Sequence, residues 1–170
     1  EVWEVQFDNS YLSIKNKLWN ISDNAYIRWG KDKTTFDSIG LSNASSFIAV
    51  NGVHSNSKLT GTAELQKISI QDFSSLFSKT KFSGEMNGII KLGTEDVDGT
   101  LSIKDLKVDT TYVGDIQGEA IWDNINKKVD VDVDVLRNNI NTIELKGYYQ
   151  PETSKQEERI DLRAEFNDAD

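Results

Sequence analysis

The stretch Lys128-Val129-Asp130-Val131-Asp132-Val133-Asp134-Val135 alternates four valines with three aspartates without interruption. Side chains on a strand point to opposite faces with period 2, so Val129, Val131, Val133 and Val135 share one face and Asp130, Asp132 and Asp134 the other. A helix would mix the two sets around its whole surface. The run therefore predicts a strand with one apolar and one charged face, and the same alternation continues in both directions from it.

Downstream, an Asn138-Asn139 turn leads into Thr142 to Tyr149, a polar loop from Gln150 to Glu158, and a last strand from Ile160 to Phe166. Upstream, a turn over Asp123 to Lys127 precedes Val113 to Trp122, and Asp98-Gly99 is expected to turn the chain into Thr100 to Leu106. The strand Phe82 to Leu92 puts Phe82, Met86, Ile90 and Leu92 on one face with Gly84 and Gly88 among them. Toward the start of the chain, strands are expected at Trp3 to Phe7, Tyr11 to Ile14, Leu18 to Ile21, Ala25 to Trp29, Thr34 to Leu41, Phe47 to Val50 and Leu59 to Leu65. Phe36 and Ile39 lie three apart, which breaks the period and predicts a bulge. Asn51-Gly52 reads as a turn, with His54 in a polar loop after it. One short helix is expected at Asp72 to Phe77, with Asp72 as its cap and Phe73, Leu76 and Phe77 at 3-4 spacing. The fold class is all-β.

Three segments share a pattern: Leu12 to Asn16, Ile68 to Phe73 and Leu101 to Leu106. The second and third are each followed by a glycine pentad, Gly84 to Gly88 and Gly114 to Gly118. Short strands that cannot bury their own apolar face and recur in this way point to stacking in one dimension, with units of about 1–60, 61–98 and 99–170. The chain begins and ends in mid-pattern, so residues 1–170 are expected to form a single segment of a longer protein.

Composition narrows the function. A net charge of -9, with no cluster of Lys or Arg, disfavours nucleic acid and charge-driven binding to anionic headgroups. With no cysteine there is no disulfide, thiolate metal site or thiol nucleophile. His54 is the single histidine and no nucleophile-elbow motif accompanies it, so no enzyme is expected and no cofactor. The aspartates of the valine run invite a calcium reading, but residues two apart on a strand are about 7 Å apart along it, too far to converge on one ion, so a solvated face is expected instead. Asp96-Val97-Asp98-Gly99 reads as a hairpin turn for want of later acidic ligands. Trp3, Trp19, Trp29 and Trp122 would suit sugar stacking, but each has apolar neighbours on its own face and reads as wall or core.

Two stretches carry a resemblance. Lys17 to Gly52, with Leu18-Trp19-Asn20-Ile21, Asn24-Ala25-Tyr26-Ile27, Phe36 to Asn43 and Phe47 to Gly52, resembles the TamB branch of the AsmA-like family in Bacteroidetes-type bacteria. Gly84 to Trp122, with Asp98 to Val108, is similar to the same family's glycine-started strands. The resemblance implies an elongated, curved antiparallel sheet, a β-taco or repeating β-groove with an apolar interior. It implies a segment of a periplasmic protein anchored in the inner membrane of a diderm bacterium, acting in outer-membrane biogenesis. Such a segment would carry phospholipid acyl chains, assist outer-membrane protein assembly, or both. The implied partners are acyl chains, unfolded outer-membrane strands and an outer-membrane barrel, although no residues here match the family's barrel-contacting C-terminal region. The expected lining is Leu101, Ile103, Ile116, Trp122, Val129, Val131, Val133, Val135, Ile143, Leu145, Ile160, Leu162 and Phe166. A sheet with one apolar face must cover it with a ligand or a second layer. The other reading is therefore a β-sandwich module that binds carbohydrate or protein.

Overall fold

The computed structural model describes residues 1–56, 58–77, 79–93, 97–123, 125–152 and 157–167, with the side chains of 75–77 outside that set. Thirteen strands form one antiparallel sheet: β1 (Val2–Gln6), β2 (Tyr11–Ile14), β3 (Lys17–Ile21), β4 (Tyr26–Gly30), β5 (Lys33–Asn43), β6 (Ser46–Ser55), β7 (Lys58–Ser69), β8 (Phe82–Leu92), β9 (Val97–Val108), β10 (Thr111–Asp123), β11 (Lys128–Arg137), β12 (Ile140–Gln150) and β13 (Arg159–Phe166). One helix, α1 (Ile70–Phe77), interrupts them between β7 and β8. The fold is all-β, and the sheet runs from β1 to β13 without closing into a barrel. Among the described residues no helix is long and apolar enough to cross a membrane.

The connectivity is simpler than a count of thirteen suggests. β4 and β3 both pair with β5, Tyr26 to Trp29 opposite Asp37 to Thr34, and Asn20 and Ile21 opposite Ser42 and Leu41. β1 pairs with β4 and β2 with β3. Across the two bends, Phe7 N–H donates to Ala25 O at 2.8 Å and Ile21 N–H to Ser10 O at 2.9 Å. β1 with β2, and β3 with β4, are thus bent halves of two long rungs. Among the described residues the strands form an up-and-down meander in which each rung pairs with its predecessor and successor. Turn chemistry explains much of this. Asn138 and Asn139 have φ of 51° and 63°, and Lys15 and Asn16 have 46° and 62°, the paired positive values that a two-residue hairpin turn requires.

A second device recurs within the rungs. Ser38, Lys67 and Asp105 sit at bulges in β5, β7 and β9 with φ of 54°, 50° and 52°. Each donates its backbone N–H to a side chain on the next strand: Ser38 to Asn51 Oδ1 at 2.7 Å, Lys67 to Asn87 Oδ1 at 2.8 Å, and Asp105 to Asp115 Oδ1 at 2.8 Å. The bulge expected between Phe36 and Ile39 is the first of these. What recurs is a hairpin with one bulge, its free N–H satisfied across the ladder.

Four local expectations are corrected. Asn51-Gly52 lies inside β6, because the Asn51 side chain is spent on the Ser38 bulge and Gly52 faces Gly61 across a close backbone approach. His54 is accordingly a strand residue, between Thr34 and Leu59. Asp98-Gly99 lies inside β9, where Asp98 is opposite Lys91 and Ile121, and Gly99 opposite Ile90 and Ala120. Asp96 lies outside the described residues, as do 153–156 of the expected polar loop. The helix begins at Ile70, so Asp72 falls in its first turn instead of capping it, and the carboxylate is taken by Lys17 Nζ at 2.6 Å. The Leu76 and Phe77 side chains lie outside the described set.

Little of the molecule is core. Among the described residues Trp19, Ala25, Ile68 and Leu106 are the buried apolar side chains. Trp19 meets Phe73 of α1 edge-on with ring centroids 5.7 Å apart, and Lys15 Nζ donates to Gln71 O at 2.8 Å. The helix is thereby fastened over the β2–β3 hairpin.

Candidate functional site

Directly opposite residues in an antiparallel ladder share a face, so the register can be followed strand by strand across the sheet. One row runs Ile48, Leu65, Gly88, Leu101, Gly118, Val133, Leu145, Ala164. The next runs Val50, Ala63, Ile90, Gly99, Ala120, Val131, Gly147, Leu162. A third runs Ile68, Met86, Ile103, Ile116, Val135, Ile143, Phe166, and a fourth Trp122, Val129, Tyr149, Ile160. All thirteen residues expected to line the apolar side fall in these rows, on one face.

The face extends further than that set. Trp3 is opposite Trp29, Val5 opposite Ile27, Ile27 opposite Phe36, and Ile39 opposite Val50, which carries the same side across β1, β4, β5 and β6. These residues were legible by alternation, and the Ser38 bulge explains why Phe36 and Ile39 stay on one face although three apart. In the first row Leu101 stands between Gly88 and Gly118, and the neighbouring side chains lean over the glycines: a Cβ at Gly88 would lie 3.2 Å from Leu101 Cδ1 and one at Gly118 3.0 Å from Val133 Cγ2.

Among the described residues no second sheet lies on this face. Among the thirteen, Leu101 is 38% exposed, Leu162 47%, Ile160 63% and Phe166 77%, and the other nine are half-buried, flanked by their neighbours in the sheet. Trp3 and Trp29, opposite one another, are exposed, Trp122 is half-buried, and only Trp19 is core.

The opposite face is polar and cross-linked. Lys128 binds Asp130 at 2.6 Å, and Lys146 binds Asp132 at 3.3 Å and also Glu144. An open depression on this face is lined by Glu64, Gln66, Asn87, Thr100 and Gln117 together with the apolar Ile89. Here the expectation that the aspartates stay apart is corrected: carboxylate oxygens of Asp132, Asp134 and Glu144 all lie within 4.8 Å of one another. The spacing argument considered one strand alone, whereas Glu144 arrives from β12 directly opposite Asp134. The Lys146 ammonium supplies the compensating charge, and Glu144, then Asp132, hold it protonated above the usual lysine range. The valine run thus has a face of salt-bridged carboxylates behind a face of hydrocarbon. Compared with family models, curated proteins and solved structures, the chain matches none.

Proposed function

We propose that the apolar face of the sheet holds phospholipid acyl chains lengthwise across the strands, with headgroups left in water. We further propose that the chain acts as an internal segment of a TamB-type, periplasm-spanning protein of outer-membrane biogenesis. The observation that carries the reading is a largely apolar face that runs from rung to rung and that, among the described residues, is covered only by α1 at its β3 and β7 end. Fully removing one Val or Leu side chain from water is worth about 1.5–3 kcal/mol, so a few residues per hairpin are enough to retain an acyl chain. A surface that is apolar over most rungs also suits a conduit, because cargo held with similar strength at each rung does not stall at one. The resemblance of Lys17 to Gly52 and Gly84 to Trp122 to the TamB branch supports the same assignment.

The test is native mass spectrometry of the purified chain, followed by solvent extraction and lipid identification. Val131 lies between Ala120 and Gly147 on the apolar face, and Asp132 is its neighbour on the other. Val131→Asp is expected to remove most co-purified phospholipid and Asp132→Val to leave it in place, both variants keeping the wild-type far-UV circular dichroism. Equal occupancy in the two folded variants, or a wild-type chain that carries no lipid, would overturn the reading.

A further inference from the structure

All four tryptophans stand on the apolar face, but at two different ends of the rungs. Trp19 lies two residues from Ile21, which is opposite Leu41, and Leu41 is opposite Ile48 of the first row. It sits at the end where α1 packs, with Phe73 against its ring, and Ile68 is buried at the same end. Trp122 and Tyr149 lie in the fourth row, at the opposite end, close to where β10 stops at Asp123 and β12 at Gln150. Asp98 is opposite Ile121, so that row continues past Trp122 as Val97, Leu92, Gly61, Gly52, Phe36 and Ile27. One row further out come Trp3, Trp29, Thr34, His54 and Leu59.

Polarity is therefore graded along the rungs. The middle of the face is aliphatic, with Leu101 and Val133 in one row and Ile90 and Val131 in the next, about 7 Å away. Toward the Trp122 end it passes to rings that carry a polar tip. Tyr149 is 37% exposed and its hydroxyl donates to Glu158 Oε1 at 3.0 Å, so the ring lies on the hydrocarbon side while the tip reaches the chain beyond the rung. Trp29 is 39% exposed and Trp122 half-buried. Indole and phenol rings settle where hydrocarbon gives way to water, which in a lipid layer is the level of the headgroups. The α1 end is built differently. Trp19 is 1% exposed there, and Lys17, on the same face, is held by Asp72 at 2.6 Å.

We propose that a bound phospholipid has a fixed orientation on the sheet, with its glycerol and headgroup over Trp29, Trp122 and Tyr149 and its acyl chains on the aliphatic rows further in. The inference rests on the acyl-chain reading above and gives the bound lipid a polar end and an apolar end. The aliphatic rows retain the chains, whatever the headgroup. The three rings are positioning residues, since each presents hydrocarbon to the chains and a hydrogen-bonding tip to the polar part of the lipid.

The chain has no cysteine, so a single fluorophore can be attached at either end of β10. Ile125→Cys labels the turn after Trp122, and Thr110→Cys labels the turn between β9 and β10, at the α1 end. Both positions are exposed, and they lie about 40 Å apart along the strand. Each labelled chain is loaded with phosphatidylcholine that carries a nitroxide quencher on the choline, and the lipid retained after gel filtration is counted from its electron paramagnetic resonance signal. The nitroxide is expected to quench the label at 125 and to leave the label at 110 unquenched. Trp122→Leu combined with Tyr149→Leu keeps the face apolar but removes both polar tips. In that background the lipid is expected to stay bound and to quench both labels alike. Equal quenching at the two ends without the double substitution, stronger quenching at 110, or an end preference that survives the double substitution would overturn the orientation and leave acyl binding standing. A folded chain that retains no lipid would overturn the acyl-chain reading, and this inference with it.

Discussion

Strands β2, β3, β7 and β8 share a helix that covers part of their apolar side, whereas β10 to β13 share none. In the first region Trp19 and Ile68 are each 1% exposed, Asp72 lies buried against Lys17, and Phe73 abuts the indole. In the second, Val129 to Val135 are all half-buried, and among the described residues the buried side chain is Thr142, whose hydroxyl donates to Val135 O at 3.0 Å. The same alternating pattern therefore serves two ends. Where a helix closes over it, it makes a core that fixes the meander. Where no described residue closes over it, it remains an open apolar surface, held together by ladders and turns.

Trp19→Ala is the strongest way to break that contrast. Truncating a fully buried aromatic residue costs about 3–5 kcal/mol, whereas Val133→Ala removes two half-buried methyl groups and costs about 1 kcal/mol. Urea unfolding followed by far-UV circular dichroism measures both. Similar losses in the two variants would mean that the open rungs are as tightly packed as the helix-covered ones, and the distinction between core and surface would fall.

The open region was the more legible in the sequence, for a physical reason. A strand with one apolar and one charged face alternates with period 2, and Lys128 to Val135 does so without interruption. The helix-covered region is shaped by contacts between residues far apart in the chain. Lys17 with Asp72 and Trp19 with Phe73 join positions more than fifty residues apart, and no local pattern announces them. Asn51-Gly52 and Asp98-Gly99 misled for a related reason. Both have turn chemistry, but a cross-strand acceptor role for Asn51 and an apolar-face slot for Gly99 keep them in strands. The carboxylate cluster of Asp132, Asp134 and Glu144 needed the β11–β12 register, which alternation alone does not supply.

A smaller effect sharpens the comparison within the open region. Gly147 has φ of 151°, and a Cβ there would lie 2.0 Å from Asp161 O, in the backbone of the outermost rung. Gly99, on the same apolar row, has nothing nearer than 3.8 Å. Gly147→Ala is expected to cost about 1–3 kcal/mol through backbone strain. Its signature is faster hydrogen exchange confined to β12 and β13, and Gly99→Ala should leave exchange unchanged. Global destabilisation by Gly147→Ala would show that the open rungs unfold as one unit with the helix-covered ones and not rung by rung.

The smallest expected effect concerns a single turn. Asp123 Oδ1 accepts the N–H groups of Ile125 at 2.9 Å and Asn126 at 3.0 Å, and Oδ2 accepts Asn126 Nδ2 at 2.6 Å. These bonds, the Asn126 N–H first among them, hold the Asp123 carboxyl below the usual aspartate range. In the unfolded chain the group returns to that range, so the folded state binds the proton less tightly. The stabilisation is complete at neutral pH and is lost as pH falls from the ordinary aspartate value through the lowered one. An NMR titration of the side-chain carboxyl is expected to give a midpoint below about 3.9, the model-peptide value, and Asp123→Asn is expected to remove the acid-dependent shifts of the Ile125 and Asn126 amides. With no helix over it, the β10–β11 hairpin depends on this turn more than the helix-covered rungs depend on theirs, so its amides should be the first in the described sheet to lose protection in acid. Earlier loss in β3 or β7 would reverse the ranking of the two regions.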